Sequence, residues 1–233
     1  MTHTPSPTLS DLWPTVVGVH EWSDAPANNE TLVRVLNVLR AQDPHAVPGS
    51  AFYVSPDDLL NRIRIPEWQA LIRFIVAGVS KTVGHANRTS WGSERPGFQL
   101  ALRGLWCQMS NGGAHHDIHT HGNCSWSGVY CLQVDPEAQR EAHPVFGARN
   151  GVTRLYGPYT ALLGGAHSDF GNAYLQDSSR DIAPRAGQLV VFPSWLAHQA
   201  LPYAGAQDRV IISFNVSVHA EGGDDQTRAY ASA

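Results

Sequence analysis

The spacing of apolar residues changes period near residue 96, from helical spacing before it to strand-like alternation after it. A chain with both periods must pack helices against a sheet. In "NNETLVRVLNVLRAQ", Leu32, Val35, Leu36 and Leu39 recur on one helical face behind an asparagine suited to cap it, and Gly49 lies past the end. "IPEWQALIRFIVAGVSKTVG" opens with Pro66, which fits a first helical turn, and repeats the pattern through Trp68, Leu71, Ile72, Ile75 and Val79. Two helices are therefore predicted in a front of about residues 25–95. From Phe98 onward "FQLALRGLWCQMS" and "DRVIISFNVSV" alternate, while "SWSGVYCLQV" and "GQLVVFP" are short apolar runs of strand composition. These predict a β-structured core over about residues 96–220. Between the strand runs, the tract from Asp135 to Gly187 is dominated by Gly, Pro and polar residues, and a tract of that kind inside a compact domain is expected to be a functional loop or lid.

The 233 residues suit one domain, 1–233, with ample apolar content for a core. Charged residues make up 15% of the chain and the formal net charge is −4, so there is no basic surface on which phosphate neutralisation could hold nucleic acid. A small-molecule partner is expected instead, with a homodimer allowed for. The N-terminus "MTHTPSPTLSDLWPT" lacks a basic region followed by an apolar run, and no segment is apolar for long enough to span a bilayer, so a cytoplasmic protein without membrane attachment is expected. Cys107, Cys124 and Cys131 are too few and too irregularly spaced for a disulfide framework and read as buried thiols.

The chemistry concentrates in "GGAHHDIHTHGNCSWSGVY", where His115, His116, His119 and His121, four of the chain's twelve histidines, stand near Asp117. On a strand, two histidines separated by one residue face the same side, so "HTH" can present both rings to one ion. A third histidine, His198, ends the apolar strand "AGQLVVFPSWLAH". A paired motif with a distant strand-end histidine is the layout of a facial iron site that leaves coordination positions open. The spacing leaves the ligand set unresolved. His115 with Asp117 would make the commoner His-x-Asp pair, and His119 with His121 an all-histidine one.

The order Trp106, Asn111, "HTH", "SGVY", "GQLVVFPSWLAH", Arg209 and "ISFN" resembles the 2-oxoglutarate and Fe(II)-dependent oxygenase family whose members carry "PHTHP", "SGVYYV", "FPSWLxH" and "RxSxxFN", over roughly residues 100–218. The resemblance implies a double-stranded β-helix, a mainly β jelly-roll and cupin-like barrel with flanking helices. Aligning "SGVY" favours His119, His121 and His198 as the metal set, with Asp117 or His115 as supporting or alternative ligands. It further implies iron(II), 2-oxoglutarate and dioxygen as cofactor and cosubstrates, with oxidation of a C–H bond in a small-molecule or amino-acid-like substrate. Arg209 would hold the distal carboxylate of 2-oxoglutarate, because a guanidinium fork meets a carboxylate with two hydrogen bonds. By period two, Ser213 and Asn215 share the face of Arg209, and Tyr130 and Ser127 are further candidates for cosubstrate contact. Tyr156, Tyr159 and Arg154, with Phe170, Tyr174 and Arg149, are candidates for a substrate lid.

Two other readings share the barrel. A three-histidine cupin dioxygenase would dispense with 2-oxoglutarate, but the glutamate expected after His121 is missing and Arg209 would have no role. A non-enzymatic metal or small-ligand-binding barrel would bind an ion without consuming oxygen.

Overall fold

The computed structural model describes residues 15–91, 97–157 and 178–221. Its strands form two antiparallel sheets. Ten strands contribute: β1 (Gly18–Glu21), β2 (Phe52–Val54), β3 (Phe98–Ser110), β4 (Ala114–His119), β5 (Trp126–Gln133), β6 (Thr153–Tyr156), β7 (Ser179–Ile182), β8 (Gln188–Pro193), β9 (His198–Tyr203) and β10 (Arg209–Ala220). The larger sheet has the order β1-β8-β5-β10-β3-β2 and the smaller β4-β9-β6-β7. Side chains of both sheets line one interior pocket, including Val129, Phe192, Arg209 and Ser213 from the first and His119, Thr153 and His198 from the second. This is the β-structured core that the alternating pattern predicts, in the mainly β, double-stranded β-helix form that the family resemblance implies.

The outer face of the larger sheet is covered by α1 (Ala25–Gln42) and α3 (Pro66–Ala86), with the short α2 (Leu59–Arg62) beside β3. Leu32 and Leu36 of α1, and Trp68, Leu71, Ile75 and Val79 of α3, bury their side chains with Leu105, Tyr130, Leu189, Ile212 and Phe214 of the sheet in the main core. Each such side chain contributes roughly 1.5–3 kcal/mol relative to exposure. The close approach of α3 depends on Gly78, since a Cβ there would come within 2.6 Å of Leu189 Cδ2. Strand β10 is consequently buried on both sides. Val210, Ile212, Phe214 and Val216 face the helices, and Arg209, Ile211 and Ser213 line the interior pocket.

Three expectations are corrected. Helix α1 starts at Ala25, upstream of the asparagines, because Pro26 suits a first turn; Asn29 lies inside the helix, where its amide donates to the Leu132 carbonyl at 2.8 Å. The helical front also supplies β2, and β1 precedes it; the two extend the larger sheet at its two edges. The tract read as a loop contributes α4 (Glu137–Glu141), β6 and β7, short elements whose few residues carry no usable periodicity. Cys107 and Cys131 are buried free thiols, whereas Cys124 is half-buried.

Candidate active site

The ladder between β4 and β9 builds the site. His116 pairs with Ala200 and His119 with His198, so three steps on β4 match two on β9, and the register shifts between them. An extra residue in one strand is a bulge, and it turns the following side chain to the other face. Ile118 is thereby left exposed while both His116 and His119 line the interior pocket, an outcome that period two alone forbids. The expectation that "HTH" lies on one strand is also corrected. Strand β4 ends at His119, and His121 follows it in the connection, anchored by its own N–H to the Ser194 carbonyl at 2.9 Å.

One ring nitrogen each from His119, His121 and His198 lies within 4.8 Å of the others. The hydrogen bonds decide which nitrogens are free. His119 Nδ1 donates to the Asp117 main-chain carbonyl at 2.7 Å, and His198 Nδ1 donates to the Leu196 carbonyl at 2.9 Å, so Nε2 of each keeps its lone pair. Burial, reinforced by His119 and His116, pushes the His121 imidazole down to about 4. Burial does the same for His198, also to about 4, with the neighbouring histidines adding to it against the Leu196 hydrogen bond. Both rings are therefore neutral at neutral pH, as metal ligands must be. Phe192 packs on His198 with ring centroids 4.5 Å apart, which restricts that ring further.

His116 lies against this cluster: its ring stands at 87° to that of His119 with centroids 4.2 Å apart, and it also stacks on Phe52. Asp117 does not offer its carboxylate to a ligand ring. Its main-chain oxygen takes that role, while the carboxylate points outward, 3.5 Å from His115 Nε2, with both side chains exposed. His115 and the Asp117 carboxylate thus stand apart from the three converging rings, as alternation on β4 requires.

Arg209 lies in the same pocket as the histidines, with Gln108, Thr153 and Ser213. It is 3% exposed, its Nη2 is 3.4 Å from Thr153 Oγ1, and its Nε has no hydrogen-bond partner among the described residues. Burial depresses its pKa, and the groups acting on its charge are Cys131, Tyr203 and Arg140, none of them a carboxylate. A buried guanidinium without a counter-ion is costly, and an anionic ligand offsets that cost. Gly151, at φ 75°, lets the chain pass: a Cβ there would stand 2.7 Å from Tyr203 Cδ2 and 3.5 Å from Arg209 Cδ.

The remaining expected residues divide. Ser213 lines the pocket. Asn215 and Ser127 bond to each other at 2.8 Å, away from the pocket lining. Tyr130 is corrected outright: alternation along β5 puts Val129 in the pocket and turns Tyr130 into the helix-side core, where its hydroxyl donates to Asn29 Oδ1 at 2.8 Å. Arg154 is held by Asp181 through two bonds of 2.7 and 2.8 Å, and Tyr156 donates to Gln199 Oε1 at 2.6 Å. Tyr159, Phe170 and Tyr174 lie outside the described residues. Sequence reasoning passed over Thr153 and Gln108, which carry no motif and are selected only by the pairing of strands.

Comparison with known proteins agrees with this geometry. Residues 104–215 match the family described as "Putative 2OG-Fe(II) oxygenase". No curated protein matches the chain. Among solved structures, the chain is similar to a Pseudomonas putida prolyl-4-hydroxylase, at 15% identity and TM-score 0.52, over 87% of this chain and 92% of that one. It is also similar to the non-heme alpha-ketoglutarate-dependent epimerase SnoN from nogalamycin biosynthesis, at 12% identity and TM-score 0.53, over 89% of this chain and 85% of that one. HygX from Streptomyces hygroscopicus, solved with nickel and 2-oxoglutarate bound, aligns at 11% identity and TM-score 0.53, over 91% of this chain and 85% of that one. At such identities the solved structures speak for the fold, and the family match covers the strands that carry the histidines and Arg209. Over residues 104–215, which carry the three histidines and Arg209, the chain is similar to the 2OG-Fe(II) oxygenase family, and that match supports an Fe(II)- and 2-oxoglutarate-dependent oxygenase.

Proposed function

We propose that His119, His121 and His198 hold the iron, that Arg209 receives the distal carboxylate of 2-oxoglutarate, and that the enzyme oxidises a C–H bond of a small-molecule or amino-acid-like substrate. The observation that carries this reading is one pocket containing both the three converging imidazoles and a buried guanidinium that has no ion-pair partner among the described residues. The residues fit the groups. Neutral imidazoles suit a divalent first-row ion, and an arginine with no carboxylate beside it among the described residues suits a ligand that brings one. When bound, iron with 2-oxoglutarate supplies the activation of dioxygen.

The chain's own residues do the rest. The Asp117 and Leu196 carbonyls hold the protons on Nδ1 of His119 and His198, fixing tautomer and ring direction before any ligand arrives. Thr153 steadies Arg209 from the facing sheet, so the anion site and the imidazoles are set by opposite walls of the barrel. Phe192, Ile211 and Val129 give the pocket apolar walls that exclude water. Three neutral ligands, where a carboxylate is commoner, leave the ion its full double charge and favour a dianionic cosubstrate. A single protein segment accounts for the domain assignment, with helices α1 and α3 as scaffold and the barrel as the working part.

The test is conversion of 2-oxoglutarate to succinate by the iron-loaded protein. Arg209→Ala is expected to lower turnover at limiting 2-oxoglutarate by about a hundredfold or more while iron binding persists, since a charge-assisted bidentate contact is lost. Turnover independent of 2-oxoglutarate, or an unaffected Arg209→Ala protein, would overturn the assignment in favour of a cupin dioxygenase.

A further inference from the structure

We propose that Arg140 is a positioning residue for the cosubstrate, a second buried guanidinium that shares with Arg209 the charge of the distal carboxylate. The proposal rests on the reading of Arg209 given above. Arg140, on α4, is 1% exposed, and of its side-chain nitrogens Nε and Nη2 have no hydrogen-bond partner among the described residues. Its Nη1 donates to the Asn150 carbonyl at 3.0 Å, and the Asn150 side chain donates back to the Arg140 carbonyl at 3.2 Å and to Ala204 at 2.8 Å. The next residue is Gly151, whose missing Cβ leaves room for Arg209 Cδ. One two-residue turn therefore meets the Arg140 guanidinium and the Arg209 Cδ methylene, and bracing Asn150 against Arg140 fixes the wall along which Arg209 extends.

The charges point the same way. Arg140 is among the groups that disfavour the charged form of Arg209, so the two cations lie within Coulombic reach. Asp135, just ahead of α4, accepts from the main-chain N–H groups of Ala206 at 2.6 Å and Gln207 at 3.3 Å. Cys131 and Tyr203, the other groups acting on Arg209, are held protonated by burial and carry no charge to give. With Asp135 as the carboxylate that acts with Arg140 on Tyr203, two buried guanidiniums still leave an excess of positive charge, and the distal carboxylate is the anion that would complete it. Arg209 touches it, while Arg140 acts through its field and through the Asn150–Gly151 turn.

The experiment is anaerobic calorimetric titration of the iron-loaded full chain with 2-oxoglutarate and, separately, with 2-oxovalerate, which has the same chain length and no distal carboxylate. Arg140→Met and Arg140→Gln are expected to weaken 2-oxoglutarate binding about tenfold or more while leaving 2-oxovalerate unchanged, because only the first ligand carries the charge that Arg140 attracts. Arg140→Lys, which keeps the charge, is expected to recover most of the loss, and in turnover the KM for 2-oxoglutarate rises with kcat little changed. Equal weakening of both acids, no weakening of either, or loss of folding in all three variants would overturn the proposal. Should only the Met variant fail to fold, the comparison of Gln with Lys decides. Wild-type protein that binds iron but not 2-oxoglutarate would instead remove the cosubstrate reading on which this rests.

Discussion

The ladders of β10 with β3 and with β5 run long and break register once each, whereas the much shorter ladder of β4 with β9 breaks twice. The two sheets differ in what covers them. The larger one lies under α1 and α3, and a slip of one residue there would turn Ile212 and Phe214 out of the core and Arg209 into it. Packing therefore enforces its register. The smaller sheet has a half-exposed outer face with polar side chains such as Arg154 and Asp181, and it tolerates the irregularity that brings His119 opposite His198. Regular structure supplies the arginine wall, and a bulge supplies the histidine wall.

The comparison can be broken most sharply at the ligands. Loss of an outer hydrogen-bond partner of a metal ligand costs about 10–100-fold, so His198→Ala, which removes one of the three proposed ligands, is expected to weaken iron binding by more than about a hundredfold. Equilibrium dialysis against iron(II) measures this, and a variant that binds like the wild type would mean that the rings converge for another reason. In the regular sheet the expected damage is to stability. Leu105, fully buried under the helices, should cost about 2–5 kcal/mol on truncation to Ala, read by denaturant unfolding with iron binding per folded molecule unchanged.

A smaller effect is expected at His20, between β1 and α3, where burial, with help from Lys81, lowers the imidazole pKa below 6.5. The folded state then binds its proton less readily than the unfolded chain. Its contribution to stability is complete above pH 6.5 and declines as the pH falls toward the depressed folded value. His20→Gln should flatten the dependence of stability on pH in that window, and an unchanged slope would assign the dependence to other groups. The smallest effect belongs to Ile118, on the outer side of the bulge and 58% exposed: Ile118→Ala should change stability by no more than about 0.5 kcal/mol. A large loss there would mean that the smaller sheet is packed as strictly as the larger.

Much of the scaffold was legible because periodicity is a local signal. The face of α3 from Trp68 to Val79 and the alternation of β10 from Arg209 to Ser213 can be read from composition and spacing alone. Tyr130 was misread for the same local reason, since a motif states that a tyrosine is present but only the pairing of β5 states which face it occupies. Thr153 was out of reach because a strand pairing decided between distant segments places it in the pocket.

By itself the sequence determined which side chains were available, three histidines and an arginine on strand-like segments, and that helices would cover one face of a sheet. Those properties depend on residue type and on neighbours a few positions away. The tertiary structure alone decided that His119, His121 and His198 converge and that Asp117 serves through its carbonyl instead of its carboxylate. It also decided that Arg140 and Arg209 meet the same turn. Each of these depends on the register between strands far apart in the chain, and register is fixed only when the whole core packs.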